Sequence, residues 1–165
     1  MKHLFLARHG EDDGRALSEE GKKQMETLAG KMAEIAVPSV LISSRADRTM
    51  QGARILAERF GLPEDKILEY DCYCDINPQH MSQYEVIALF SGMYDLTRLV
   101  REREAGADGI AIVTHGGFAE TFRDFYLGKF LHVNLGLRDL GKGTAYDIDV
   151  EKKWCSFISG LTGEN

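Results

Sequence analysis

The sequence predicts an α/β fold, a three-layer α/β/α sandwich around a mostly parallel central sheet. Three observations carry this prediction. Two unbroken apolar runs, Leu4-Phe5-Leu6-Ala7 and Ile110-Ala111-Ile112-Val113, suit strands buried on both faces of a parallel sheet. Between strand-like runs lie longer stretches with apolar residues every three or four positions, the spacing of helices packed on such a sheet. The last two strand-like runs, residues 144–150 and 154–158, are separated only by Glu151-Lys152-Lys153 and so form a terminal hairpin.

Each element follows in order. After Gly10 a polar loop, residues 11–17, leads to Ser18, a good N-cap, with Glu19 and Glu20 in the first turn. Met25, Leu28, Ala29, Met32 and Ile35 then form one helical face, which Pro38 closes. Val40-Leu41-Ile42 is a second buried strand, and Ala53, Leu56, Ala57 and Phe60 mark the helix that follows, stopped by Gly61-Leu62-Pro63. Residues 66–70 read as a third strand and 71–80 as a loop. Residues 82–104 read as a helix interrupted near Ser91-Gly92. Gly116-Gly117 opens a helix that Gly128 ends. No internal repeat or linker divides residues 1–165, so a single domain is expected.

Composition narrows the function. The chain has 165 residues, 44% hydrophobic and 28% charged, ordinary values for a soluble globular protein. A net charge of −6 gives no general reason to expect nucleic acid or an anionic membrane as partner. An anionic ligand would need a local positive field. No run has the length of a membrane helix, and the N-terminal residues lack a signal-peptide pattern. Three cysteines do not make a disulfide framework, so the expected compartment is the reducing cytoplasm.

The chemistry collects at strand ends, where ligands bind in open α/β sheets. The first apolar run stops at Arg8-His9-Gly10, and the Ile110 run stops at Thr114-His115-Gly116-Gly117. Arg48 falls near the start of a helix, just past the second strand. Two guanidinium forks and two imidazoles around one point describe a receptor for a tetrahedral dianion such as phosphate. Gly10 would let backbone approach an oxyanion, and the helix opening at Gly116 would aim N–H groups at it. A neutral histidine in such a pocket can attack phosphorus and carry the phosphoryl group covalently. The arginines hold the equatorial charge, so the chemistry needs no metal and no cofactor.

These residues also resemble a known family. Arg8-His9-Gly10 at the end of the first strand resembles the signature of the histidine phosphatase superfamily, the phosphoglycerate-mutase-like fold. Leu17-Ser18-x-x-Gly21-x-x-Gln24 resembles its next block. Ser43-Ser44 with Arg48-Thr49-x-Gln51-x-Ala53 resembles its second arginine block, and Thr114-His115-Gly116-Gly117 its second histidine block. The resemblance implies His9 as nucleophile, with Arg8, Arg48 and His115 as the phosphate pocket. The short link Asp12-x-x-Arg15-x-Leu17-Ser18 and the absence of long insertions look like the small bacterial phosphohistidine phosphatases. Thr114-His115-Gly116-Gly117 looks more like the broader metabolite-phosphatase branch.

Two departures stand out. Arg45-Ala46 replaces the proline and leucine that often follow the paired serines, and Arg45 could add charge at the rim. Many members place a glutamate general acid shortly after the third strand; the nearest counterpart here is Asp75, with Glu69 and Asp71 as competitors.

Other residues read more plainly. His3, His80 and His132 are taken as structural or exposed, and Cys72 and Cys74 as apolar fillers rather than metal ligands. Trp154 and Phe157 are taken as core. Glu11, Asp12 and Asp13 are taken as loop solvation, although Asp13 or Arg15 could line the pocket mouth.

The expected function is a metal-independent phosphatase acting on phosphomonoesters or protein phosphohistidine through a phosphohistidine at His9. The alternative from another class is a non-catalytic phosphate or phosphoprotein binding module. A phosphoglycerate-type mutase ranks third, because mutase members generally carry longer insertions. The substrate and the oligomeric state are not legible.

Overall fold

The computed structural model describes residues 1–71, 80–133 and 139–161. Six strands form one sheet: β1 (His3–Arg8), β2 (Pro38–Ser44), β3 (Ile67–Tyr70), β4 (Gly109–Thr114), β5 (Thr144–Asp149) and β6 (Trp154–Ser159), in the order β3-β2-β4-β1-β5-β6. The pairs β1·β4, β2·β4 and β2·β3 are parallel, whereas β5 pairs antiparallel with both β1 and β6. The sheet is therefore mostly parallel with an antiparallel hairpin at one edge.

Alternation along the strands divides the core in two. Leu4, Leu6, Ile42, Ile110 and Ile112 face one way and pack with α3 (Gln83–Arg103) and α4 (Gly116–Tyr126). Phe5, Ala7, Leu41, Ala111 and Val113 face the other way and pack with α1 (Glu19–Ile35) and α2 (Asp47–Phe60). Helices thus cover both faces, the three-layer sandwich that the buried runs predict. Ser18 caps α1 by accepting from the Gly21 N–H, as its position suggests.

Three expectations are corrected. Helix α3 runs unbroken through Ser91-Gly92. A glycine there costs about 1 kcal/mol against alanine, but Leu89, Met93, Leu96 and Val100 give the helix one continuous buried face. The Tyr70 hydroxyl also donates to the Gly92 carbonyl, tying α3 to the end of β3. Gly128 does not end the fourth helix. The chain continues through a π-helical turn, Leu127–Leu131, held by the buried Leu127 and Leu131, and stops at His132 with φ of 56°. Trp154 is not core: it opens the edge strand β6 and is 59% exposed.

Gly10 has a steric role that the sequence reading gave to ligand approach. A Cβ on Gly10 would lie 2.3 Å from the carbonyl oxygen of Gly21, and one on Gly21 would lie 2.0 Å from that of Glu11. The two glycines let the turn after β1 rest directly on the first turn of α1. Gly10→Ala is expected to destabilise the fold by about 1–3 kcal/mol through overpacking against backbone. Denaturant unfolding checks this, with a Gly30→Ala control, since Gly30 is in α1 and a Cβ there meets nothing within 4 Å.

Candidate active site

The β1·β4 register places Arg8 opposite Thr114, and the His9 N–H donates to the Thr114 carbonyl at 3.1 Å. His9 and His115 therefore leave two neighbouring strands side by side. Both are buried, and their rings meet edge to face with centroids 5.1 Å apart. Arg48 enters from the first turn of α2 and completes the group from the next strand over. Arg8, His9, Arg48 and His115, far apart in sequence, are thus brought together at the carboxyl ends of β1, β2 and β4.

Hydrogen bonds assign the ring nitrogens. His9 Nδ1 is 2.8 Å from the Gly10 carbonyl, which can only accept, so Nδ1 carries the proton. His9 Nε2 then keeps its lone pair and accepts from Arg48 Nε at 3.3 Å. For His115 the argument runs through a hydroxyl relay. Thr49 donates to backbone carbonyls, so Ser44 Oγ gives its proton to Thr49 Oγ1 at 2.7 Å. Toward His115 Nε2, at 3.4 Å, Ser44 can then only accept. His115 Nδ1 faces Arg48 Nη2, also at 3.4 Å. The guanidinium of Arg48 thus spans His9, His115 and the Gly14 carbonyl, with Nε, Nη2 and Nη1 respectively.

Arg8 is held differently. Its Nη1 donates to the Leu140 carbonyl at 2.8 Å, and Glu120 fixes that segment by accepting from the Leu140 N–H. Its Nε is buried with no hydrogen-bond partner among the described residues. A buried donor left unpaired costs about 1–3 kcal/mol. Gly116, the first residue of α4, makes room for the Arg8 side chain itself: a Cβ there would sit 2.9 Å from Arg8 Nη1. Helix α4 begins at this glycine, so its N-terminal turn starts beside Arg8, and an anion is favoured at such a helix end.

Burial is the largest influence on His9 and pushes its pKa below the usual imidazole value. The Gly10 carbonyl and Asp12 oppose this, and Arg48 and Arg8 add to it. His9 is accordingly neutral at pH 7.

The family-like blocks have structural counterparts. Gln24 Oε1 accepts from the Glu11 N–H at 2.9 Å, and Gln51 Oε1 from the Leu17 N–H at 2.8 Å, so both pin the loop that Arg48 touches. Asp12 is not a solvated loop residue: its side chain is 9% exposed and lies against His9 and Lys142. In the sequence Asp12 reads as part of a short polar link, and Lys142 does not stand out. Arg15 pairs with Asp47 on the surface. Arg45 lies near both Glu69, at 3.5 Å, and Asp71, at 3.2 Å, in an exposed cluster at the ends of β2 and β3. Asp75, Cys72 and Cys74 lie outside the described residues. Among the described residues no group of three or more His, Cys, Asp or Glu is placed to hold a metal ion. No described helix is long and apolar enough to cross a membrane.

The chain resembles known proteins in part of its sequence and in its fold. Residues 4–69, which include Arg8, His9, Gly10 and Arg48, match the model of the histidine phosphatase superfamily (branch 1). No curated protein matches the chain. Among solved structures, a putative α-ribazole-5'-P phosphatase from Escherichia coli K-12 shares the fold with a TM-score of 0.69 at 15% identity, covering 99% of this chain and 100% of that one. The α-ribazole phosphatase from Shigella flexneri gives 0.64 at 16% identity, covering 99% of this chain and 100% of that one. A mycobacterial glucosyl-3-phosphoglycerate phosphatase gives 0.64 at 18% identity, covering 96% and 98%.

Proposed function

Proceeding from the histidine phosphatase match over residues 4–69, we propose that this protein is a phosphatase that passes a phosphoryl group through His9. The observation that carries the reading is the orientation of that ring. Nδ1–H is committed to the Gly10 carbonyl, and the Nε2 lone pair faces the Arg48 guanidinium, where an anionic phosphoryl group would be held.

In the first step the Nε2 pair forms a bond to phosphorus while the bond from phosphorus to the leaving oxygen breaks, its electrons departing with that oxygen. Arg48, Arg8 and the N–H groups at the start of α4 carry the charge on the equatorial oxygens. His115, whose Nε2 faces Ser44 Oγ, stands beside the His9 ring. In the second step water attacks phosphorus, the nitrogen–phosphorus pair returns to Nε2, and the proton that the water releases goes to the carboxylate that served as acid in the first step. An alkyl ester needs a proton donor for its leaving oxygen, the role given to Asp75. A phosphohistidine or aryl ester needs less help. The structurally similar proteins are named for acting on phosphate monoesters, which favours that class of substrate.

The test is p-nitrophenyl phosphate hydrolysis across pH with a chelator present. Turnover is expected to survive chelation. The acid limb of kcat/KM, which reports the free enzyme, is expected below about pH 6.5, because burial lowers the pKa of the His9 base. Activity that requires a metal, or an acid limb above that pH, would contradict the reading.

A further inference from the structure

We propose that Asp12 and Lys142 form a charge clamp behind His9. In it the Asp12 carboxylate steadies the imidazole from the Nδ1 side and stabilises the cationic ring that forms when Nε2 takes a phosphoryl group. Lys142 sets how strongly that carboxylate pulls. The inference rests on the reading of His9 as phosphoryl acceptor and assigns positioning residues to that reaction.

The geometry is closed on all sides. Asp12 Oδ2 lies 3.5 Å from His9 Nδ1 and 2.9 Å from Lys142 Nζ. The other oxygen, Oδ1, accepts from the Gly14 N–H at 2.8 Å, so the carboxylate cannot swing away freely. Asp12 also bridges to Leu17 through its backbone. The His9 and Asp12 side chains are 5% and 9% exposed, so their interaction is only weakly screened by water. Lys142 is held from the far side by Glu11 at 3.3 Å. The next residue, Gly143, donates its N–H to the His9 carbonyl at 2.9 Å, so one segment fixes both the strand end and the clamp.

The charged and titratable groups around the His9 ring are Arg8 and Arg48 on the pocket side, His115 at its edge and Asp12 behind it. Asp12 is thus the anion set against two cations. Its burial opposes ionisation, but bonds from Lys142 and the Gly14 N–H outweigh this and hold its carboxyl below the usual range. It remains an acceptor at neutral pH.

The charge balance shows when the clamp acts. Neutral His9 carries a proton on Nδ1 and a lone pair on Nε2. Once Nε2 bonds to phosphorus, and the leaving oxygen departs with its electron pair and takes a proton, the ring holds one positive charge. Water then displaces the ring from phosphorus, the bond pair returns to Nε2 and the charge disappears. The Nδ1–H bonds the Gly10 carbonyl, so the carboxylate 3.5 Å from Nδ1 acts through its charge and favours the charged stage over the neutral one.

Asp12→Asn keeps the shape and the Oδ1 acceptor and removes the charge. The kcat of this variant is expected to fall by about 10–100-fold, with inorganic phosphate inhibition within about 2-fold of wild type. A nitrogen-15 NMR titration of the His9 ring adds a readout that a merely structural role would not move. Its pKa is expected to fall in Asp12→Asn and to rise in Lys142→Met, where the carboxylate is no longer partly neutralised. Unchanged kcat and pKa in Asp12→Asn, or shifts of the same sign in both variants, would overturn the clamp. If Asp12→Asn does not fold, the Lys142→Met titration decides, and an unmoved His9 pKa overturns it. Trapping phosphoryl on His9 in the wild type separates the two claims. With trapping but no variant effect, only the clamp fails. Without trapping, the phosphatase reading fails and the clamp with it.

Discussion

His9→Gln is expected to lower kcat for p-nitrophenyl phosphate by about 10⁴-fold or more while the protein stays folded. Glutamine fills comparable space and can still meet the Gly10 carbonyl through its amide N–H. It has no lone pair able to attack phosphorus. The ester's good leaving group removes any dependence on the general acid, so the loss reports the nucleophile alone. Thermal unfolding of the same preparation supplies the control. His9 touches Gly10, Arg48 and His115 through polar or edge contacts rather than anchoring the apolar core. An equal rate in the mutant would remove His9 from the chemistry.

Arg48→Ala is expected to lower kcat/KM by about 10³-fold, the scale of losing a guanidinium that carries transition-state charge. Arg48→Lys should recover little of this. The three guanidinium nitrogens reach His9 Nε2 at 3.3 Å, His115 Nδ1 at 3.4 Å and the Gly14 carbonyl at 3.1 Å from one rigid plane. A lysine ammonium is a single point and cannot span all three. The binding constant for inorganic phosphate, measured alongside, should weaken in both variants. A lysine variant with wild-type kinetics would show that charge, and not the fork, is what the site uses.

The parts of this account that the sequence shows are those written locally. An apolar run ending in Arg8-His9-Gly10 and another ending in Thr114-His115-Gly116 announce both the buried strands and the groups at their ends. Parallel pairing in a matched register then brings the two histidines together. Ser18 and the periodicity of Met25, Leu28, Ala29 and Met32 likewise disclose α1.

What depends on distant contacts was hidden. Asp12 sits in a run of polar residues that looks solvated. Its place against His9 and Lys142 comes from folding, and Lys142 arrives from the other end of the chain on the segment leading into β5. Gly10 reads as room for a ligand, and folding adds a second demand for glycine: its Cβ direction is filled by Gly21. The break expected in α3 fails because burial of Leu89, Met93, Leu96 and Val100 outweighs the weak propensity of Ser91-Gly92. Trp154 looks like core by size alone and lies instead on the edge strand. Asp75, chosen as acid by its place after the third strand, lies outside the described residues.

The most direct test of the central claim is a rapid quench of the wild-type protein with p-nitrophenyl phosphate, followed by mapping of any protein-bound phosphoryl group. The account predicts one acid-labile, base-stable phosphoryl group per chain, on the peptide containing His9, formed within a single turnover. Turnover with no trapped phosphoryl group, or a group mapped to any other residue, would contradict it.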